Sequence, residues 1–280
     1  MKGTLTTLVL LLLVAIPVSS SDLGRWQRVE LVREGNTINV LMGGRPFTAF
    51  YFGPEAPKPY LHPLRSAQGT VVTGGFPMRK DIPGESPDAP QHRAMFFAHG
   101  DINGIDFWNE GQSTGKTTTT VQGVNYADAG LPKGRTVFAK LLVVKSGPES
   151  GTISARFRLV SPAGQAIADQ IQTYILRGND LTRIIDCEFV IKAIDSPVKM
   201  GDTKEGTFAI RVVRVLEAPA VYMLNSEGAI GEKAIWGKRA RWVDYSGTVE
   251  GERLGIAIST TLRTPSIRPT GMCEGMACLR

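Results

Sequence analysis

The chain has 280 residues, with only three cysteines and three histidines, and 32 Lys and Arg stand against 26 Asp and Glu. The formal charge of +6 is interleaved with carboxylates and no basic run exceeds two residues, which excludes a nucleic-acid footprint and reads as solubility. No CxxC or His/Cys spacing points to structural zinc.

In chain order, the first element is a targeting signal. Lys2 supplies the positive start, Leu8 to Ile16 the apolar run, Pro17 the break and Val18 to Ser20 the small residues before cleavage. The run is shorter than the ~20 residues that span a bilayer, and no other stretch is long and apolar enough to be a membrane helix. No cysteine stands directly at the cleavage region, so a lipid anchor is not expected. The expectation is an exported protein, periplasmic or extracellular, with a signal peptide over 1–20, one β domain over 21–258 and an atypical tail over 259–280.

Strands dominate the chain beyond the signal. Ile38 to Met42 and Phe47 to Phe52 flank a Gly-Gly turn, a hairpin signal. Further strands are predicted over Val137 to Val144, Gly151 to Val160, Ala168 to Leu176, Leu181 to Ile191, Phe208 to Val215, Arg239 to Tyr245 and Gly255 to Ile258. Turns are expected at Ser161 to Gly164, Arg177 to Asp180 and Ser246-Gly247. Gly74 to Gln91 reads as one long loop, a functional rather than a merely connecting one. There is no amphipathic helix of three turns, no internal repeat and no linker. Many short strands at this spacing give an all-β, antiparallel two-layer sandwich. Cys187, alternating with apolar neighbours, reads as a buried core thiol.

All three histidines fall between Lys58 and Trp108: His62, His92 and His99. Histidine moves protons near neutral pH and binds metals, so this window is the candidate site. His62 precedes Pro63, which biases it towards extended backbone at a strand end or loop. His92 and His99 are an odd spacing apart, on opposite faces of any straight strand, so the chain must bend for them to converge. Arg93 is a bidentate donor for a carboxylate or an oxyanion. Asp202 and Glu205 flank Lys204, and a carboxylate beside a cation stays ionised and can act as a base or an orienting group. The pair Lys204-Glu205 reads equally as a surface ion pair, and Phe107-Trp108 reads more often as core.

Motifs in and beyond this window carry a resemblance. They are Lys58-Pro59-Tyr60-Leu61-His62-Pro63-Leu64, Gln91-His92-Arg93 and the run Phe97 to Trp108. Downstream come Gly201 to Gly206, Trp236 to Ala240 and Arg241 to Tyr245. From about Val29 to Ile258 the chain resembles the DUF6807 family, often labelled a methane oxygenase, PmoA. That label is at odds with this chain, because particulate methane oxygenase subunits span membranes. Where the family commonly has His-His-Arg, this chain has Gln91-His92-Arg93. The resemblance implies the β-supersandwich of galactose-mutarotase-like proteins, a fold that hosts carbohydrate epimerases, lyases and hydrolases; fold analogy alone does not give function.

Combining motifs and resemblance, the expected catalytic set is His62, His92, His99, Arg93 and Glu205, converging on one concave surface. Tyr60, Asp101, Asn103, Asp202, Lys204 and Trp236 are the expected substrate contacts, with Phe97, Trp108 and Trp242 as further aromatic platforms. The expected partner is a carbohydrate, with no nucleic acid and no membrane span. No cofactor is expected. Three histidines and a carboxylate could ligate a divalent metal such as zinc, but no spacing here matches a ligand motif. The alternative is a non-catalytic carbohydrate-binding or envelope protein, which would show an aromatic strip on an open face with its histidines dispersed.

The tail departs from the pattern. A frame opened at the third base of the Pro269 codon lets Thr270 to Leu279 encode Tyr-Trp-His-Val-Arg-Gly-Tyr-Gly-Leu-Phe by synonymous choices, a segment of the kind the family carries there. This reads as a frameshift near Ile258 that removes further histidines and a closing strand. Cys273 and Cys278 fall in the shifted segment.

Overall fold

Alternation of apolar and polar residues drives the architecture, because a strand with one buried face must lay it against another sheet. The structure is a computed structural model that describes residues 24–80, 82–85, 89–110, 130–203, 206–217 and 221–260, with 117–121 and 124–128 as backbone. The signal segment and the tail beyond 260 lie outside the described residues, as do Lys204 and Glu205.

The first sheet has six strands. In spatial order they are β1 (Val29–Glu34), β2 (Thr37–Met42), β3 (Arg45–Tyr51), β4 (Tyr60–Leu61), β5 (Met95–Phe97) and β12 (Phe208–Ile210). A hairpin, β6 (Thr117–Val121) with β7 (Val124–Asp128), stands apart from it. The second sheet has the order β11-β10-β9-β8, from β8 (Arg135–Lys145), β9 (Gly151–Val160), β10 (Ala166–Gly178) and β11 (Arg183–Ala193). β13 (Tyr222–Asn225), β14 (Trp242–Val249) and β15 (Glu252–Ser259) form a third sheet beside the short helix α1 (Glu232–Ile235). All strand pairs in these sheets are antiparallel. No helix among the described residues is long and apolar enough to cross a membrane.

The two larger sheets face each other as an all-β sandwich. Ile38, Val40, Phe50, Leu61, Met95 and Ile210 from the first meet Ile153, Ala155, Phe157, Tyr174 and Leu176 from the second in one core. Met223, Tyr245 and Ile256 extend that core to the third sheet. Phe50 packs edge-on to Phe157 and tilted to Tyr174. The predicted strand Gly151 to Val160 matches β9, and the hairpin of β2 and β3 forms as expected.

Three expectations are corrected. Cys187 is exposed, not buried. It pairs across to core residue Tyr174 and so lies on the core-facing side, but β11 is the edge strand of its sheet. The strand predicted over Phe208 to Val215 ends at Ile210. Its partner β5 is preceded by Ala94 at φ 44, so the chain leaves β5. It then pairs Val212 with Thr73 and turns into a 3-10 helix at Arg214–Leu216. Ser246-Gly247 is not a turn but the middle of β14, paired to Gly255 and Leu254; the turn falls at Glu250 and Gly251, both with positive φ.

Candidate functional site

β4 and β5 set the geometry. Period two sends Leu61 and Met95 to the sandwich core, while Tyr60 and Phe96, directly paired, point outward. His62 continues that outward row and exchanges backbone hydrogen bonds with Ala49. The outer face is covered by the loop after β5, which carries Trp108, and by the Gly74 to Gln91 segment, which contributes Met78.

The loop after β5 is shaped by an Asn-Gly turn. Ile102 and Ile105 bond each other's backbone in both directions, and Asn103 (φ 55) and Gly104 (φ 76) occupy the two left-handed positions of a type I′ hairpin. Asp101 Oδ1 accepts from the Gly104 N–H at 2.8 Å. Ile102 and Phe107 bury against Leu159 and Ala168, which pins the loop to β9 and β10.

This loop is zipped to the segment 197–201. Asn103 N–H donates to the Lys199 carbonyl at 2.9 Å, and its Oδ1 accepts from Lys199 N–H at 2.7 Å. Its Nδ2 donates to the Pro197 carbonyl at 3.3 Å. Gly201 N–H donates to the Asp101 carbonyl at 2.9 Å. A side chain at Gly201 would collide with the Asp101 carboxylate, so the approach requires glycine there. Asp101, Asn103, Gly104, Lys199, Met200, Gly201 and Asp202 line an open depression of about 440 Å³.

His99 lies behind this zipper, 7% exposed. Its Nε2 is 2.9 Å from the Gly201 carbonyl. A carbonyl only accepts, so Nε2 carries the proton and Nδ1 is the basic nitrogen. Nδ1 has no hydrogen-bond partner among the described residues. Burial pushes the imidazole below its ordinary pKa, opposed by the Gly201 carbonyl and by Asp101, Asp106 and Asp202. The ring is therefore neutral at pH 7.

A second cluster sits further along the same loop. Lys58, 1% exposed, donates to the Trp108 carbonyl at 2.6 Å, pairs with Glu110 at 3.0 Å and lies 4.6 Å from the Phe96 ring centroid. Desolvation lowers its pKa to about 8, against the pull of Glu110. Arg93 grips Glu110 through Nε at 2.8 Å and Nη2 at 2.7 Å. Its guanidinium lies over Tyr60, which stacks on Tyr51. His92 packs against Phe96 and edge-on to Trp108. Asp106 links the two clusters: it accepts from the N–H groups of Trp108 and Asn109 and pairs with Lys133 at 2.5 Å.

Residues 37–269 match the profile of DUF6807, a family of unknown function. The chain belongs to this family. No curated protein and no solved structure matches it. The family match runs past Ile258 into 259–269.

The structure distributes the DUF6807 motif residues over four places. His99, Asp101, Asn103 and Asp202 share the zipper. Tyr60, His92 and Arg93 share the Lys58-Glu110 cluster. His62 lies on the same outer face as Tyr60 but is surrounded by other charges, Glu85, Arg79 and Arg65; burial lowers its pKa to about 4. Its Nδ1 has no hydrogen-bond partner among the described residues. Trp236 closes α1 at the third sheet, apart from both clusters. Trp108 and Phe97 are buried, as walls rather than exposed platforms.

Sequence reasoning missed Lys58 and Glu110. Lys58 stands between two prolines just before β4, which fixes its backbone, and that was a usable signal. Glu110 carries no local signal, because its role depends on Arg93 and Lys58 meeting across the sheet face. The Asn103-Gly104 turn was also missed, although Asn-Gly between two isoleucines is a strong short-range hairpin signal that could have found it.

Proposed function

We propose that this DUF6807 protein is an exported carbohydrate-active enzyme whose acid/base group is His99, with the Asp202 carboxylate opposite it on the rim of the depression. The observation that carries the reading is the state of His99. It is a buried, neutral imidazole with one nitrogen anchored on the Gly201 carbonyl and the other buried without a protein partner among the described residues, within electrostatic reach of Asp101 and Asp202, which line the open hollow in front of it. Anchoring one ring nitrogen fixes tautomer and orientation, which a general base requires.

Two features favour catalysis over a passive binding module. A shifted imidazole, His99, stands beside Asp101 and Asp202, which line a concavity, and Phe97 and Trp108 are buried rather than laid out as a strip. In this reading Nδ1 takes a proton from a sugar carbon or hydroxyl and returns it, which serves epimerisation, elimination or hydrolysis alike. Lys199 and Asp202 face the substrate hydroxyls.

The test is turnover of a sugar panel by the full chain, followed by proton NMR in deuterated buffer, with His99→Asn and Asp202→Asn beside the parent. General-base loss lowers the rate by about 10²-fold or more, with cooperative melting retained. The rate should fall in acid as His99 protonates, below its ordinary value of 6.5. Absence of turnover or solvent exchange on every sugar, or a His99→Asn variant at full rate, would overturn the reading.

A further inference from the structure

The Lys58 cluster has unequal charge. Two cations, Lys58 and Arg93, share the single carboxylate of Glu110, and the next acid along the loop, Asp106, is matched by Lys133. Within the trio of Lys58, Arg93 and Glu110 the cations outnumber the carboxylate by one, with Glu55 acting on Tyr60 from outside the trio, and buried charge is costly to leave uncompensated. The two cations are not equivalent. Lys58 is sealed, its ammonium directed to the Trp108 carbonyl, Glu110 and the Phe96 ring. Arg93 retains 17% side-chain exposure, and Glu110 occupies only Nε and Nη2. Beyond Glu110 the Arg93 guanidinium meets only the Tyr60 side chain among the contacts described, donating to its hydroxyl and lying 5.7 Å from its ring centroid.

We propose that the part-exposed side of Arg93 turned away from Glu110, together with the Tyr60 hydroxyl it contacts, forms a subsite for a ligand carboxylate. A guanidinium fork matches a carboxylate in plane, and a phenol O–H supplies a further donor. Glu110 holds the fork in place from behind, so the edge is preorganised and binding need not order it. The stacked pair of Tyr60 and Tyr51 gives the fork a rigid base. Resting on the carbohydrate reading of the protein, the ligand is a sugar acid, a uronate rather than a neutral sugar. The second anion brings the cluster to neutrality, which a neutral hydroxyl cannot do.

Calorimetric titration of the full chain separates the possibilities, with glucuronate and galacturonate compared with their methyl esters, the parent aldoses and acetate. The esters keep the shape and lose the charge. The expected result is that the acids bind about tenfold or more tightly than the esters, equivalent to ~1.4 kcal/mol, and that added salt narrows the gap. Arg93→Lys, which keeps a cation for Glu110 but loses the fork, should abolish the preference. Tyr60→Phe should reduce it while leaving the ion cluster intact, a control should Arg93→Lys melt poorly. Esters binding as tightly as acids, a preference that survives in Arg93→Lys, or no binding of uronate and acetate alike would overturn the proposal. Acetate binding as well as the uronates, with Arg93 dependence, would support the carboxylate subsite and remove the sugar reading. His99-dependent turnover of neutral sugars with no uronate preference would do the reverse.

Discussion

On the inner face of β4 and β5, Leu61 and Met95 sit in a continuous apolar core with Phe50 and Ile210. One residue along in each strand, Tyr60 and Phe96 point the other way, into an environment of Lys58, Arg93, Glu110 and His92. The same short strands thus build two regions under different rules. The inner region is held by area removed from water, which is non-directional and indifferent to pH. The outer region is held by a few charged contacts whose geometry and protonation matter, in a setting where losing one partner strands the other. A functional site built on such a pair of faces takes its precision from the rigid inner layer and its chemistry from the outer one.

The largest effect that separates the two regions should come from Glu110→Gln beside Leu61→Ala. Removing Glu110 leaves Lys58 buried without its acid and should cost ~3–5 kcal/mol; truncating Leu61 should cost ~2–5 kcal/mol through cavity formation. Size alone will not distinguish them, but pH will. Raising the pH towards the Lys58 value of about 8 lets its ammonium lose the proton, so the Glu110→Gln deficit should shrink. The Leu61→Ala deficit should stay constant. Denaturant melts across this range check it, and two pH-independent deficits would break the contrast.

His62 sharpens it next. Its imidazole titrates at about 4 in the fold against an ordinary 6.5. A depressed folded value means the unfolded chain takes the proton first, so its contribution is intact above 6.5 and is lost as the pH falls towards 4. The loss should reach about 3 kcal/mol. His62→Gln should flatten this part of the acid limb, and an unchanged limb would show that His62 is already solvated.

The smallest effect belongs to the zipper. Asn103→Ala removes two side-chain hydrogen bonds to the 197–199 segment and puts alanine at φ 55, for ~1–2 kcal/mol. It should also raise backbone exchange at Lys199 and Gly201, read by hydrogen–deuterium exchange, with the β9 and β10 amides unaffected.

Much of the inner region was legible in the sequence because it follows period two. Gly151 to Val160 and Ala168 to Leu176 alternate cleanly, and both lie within long paired strands. Legibility failed where pairing partners decide. β4 and β5 have only two and three residues, too few to show a period, and they exist because β3 and β12 flank them. Cys187 has the pattern of a core residue and lacks only the cover. The histidine cluster pointed to the loops that carry the candidate site, but spacing could not show that His99 would bond to Gly201 across the fold, or that Arg93 would meet Glu110. Those contacts join segments whose proximity only the sheet order specifies.

The Asn103-Gly104 turn also bears on how this chain ages. Asn-Gly is the dipeptide whose backbone nitrogen most readily attacks the preceding side-chain amide, closing a succinimide that opens to aspartate or isoaspartate. In the fold the attacking nitrogen is engaged: Gly104 N–H donates to Asp101 Oδ1. The carboxamide under attack is held at both ends by Lys199 and Pro197. The zipper that shapes the depression therefore also shields its own most reactive bond. A chain that stays unfolded loses that shield, and once Asn103 has become isoaspartate the added backbone carbon shifts every later donor in the turn, so the two loops no longer register. Time spent unfolded is recorded at this one position as a covalent change.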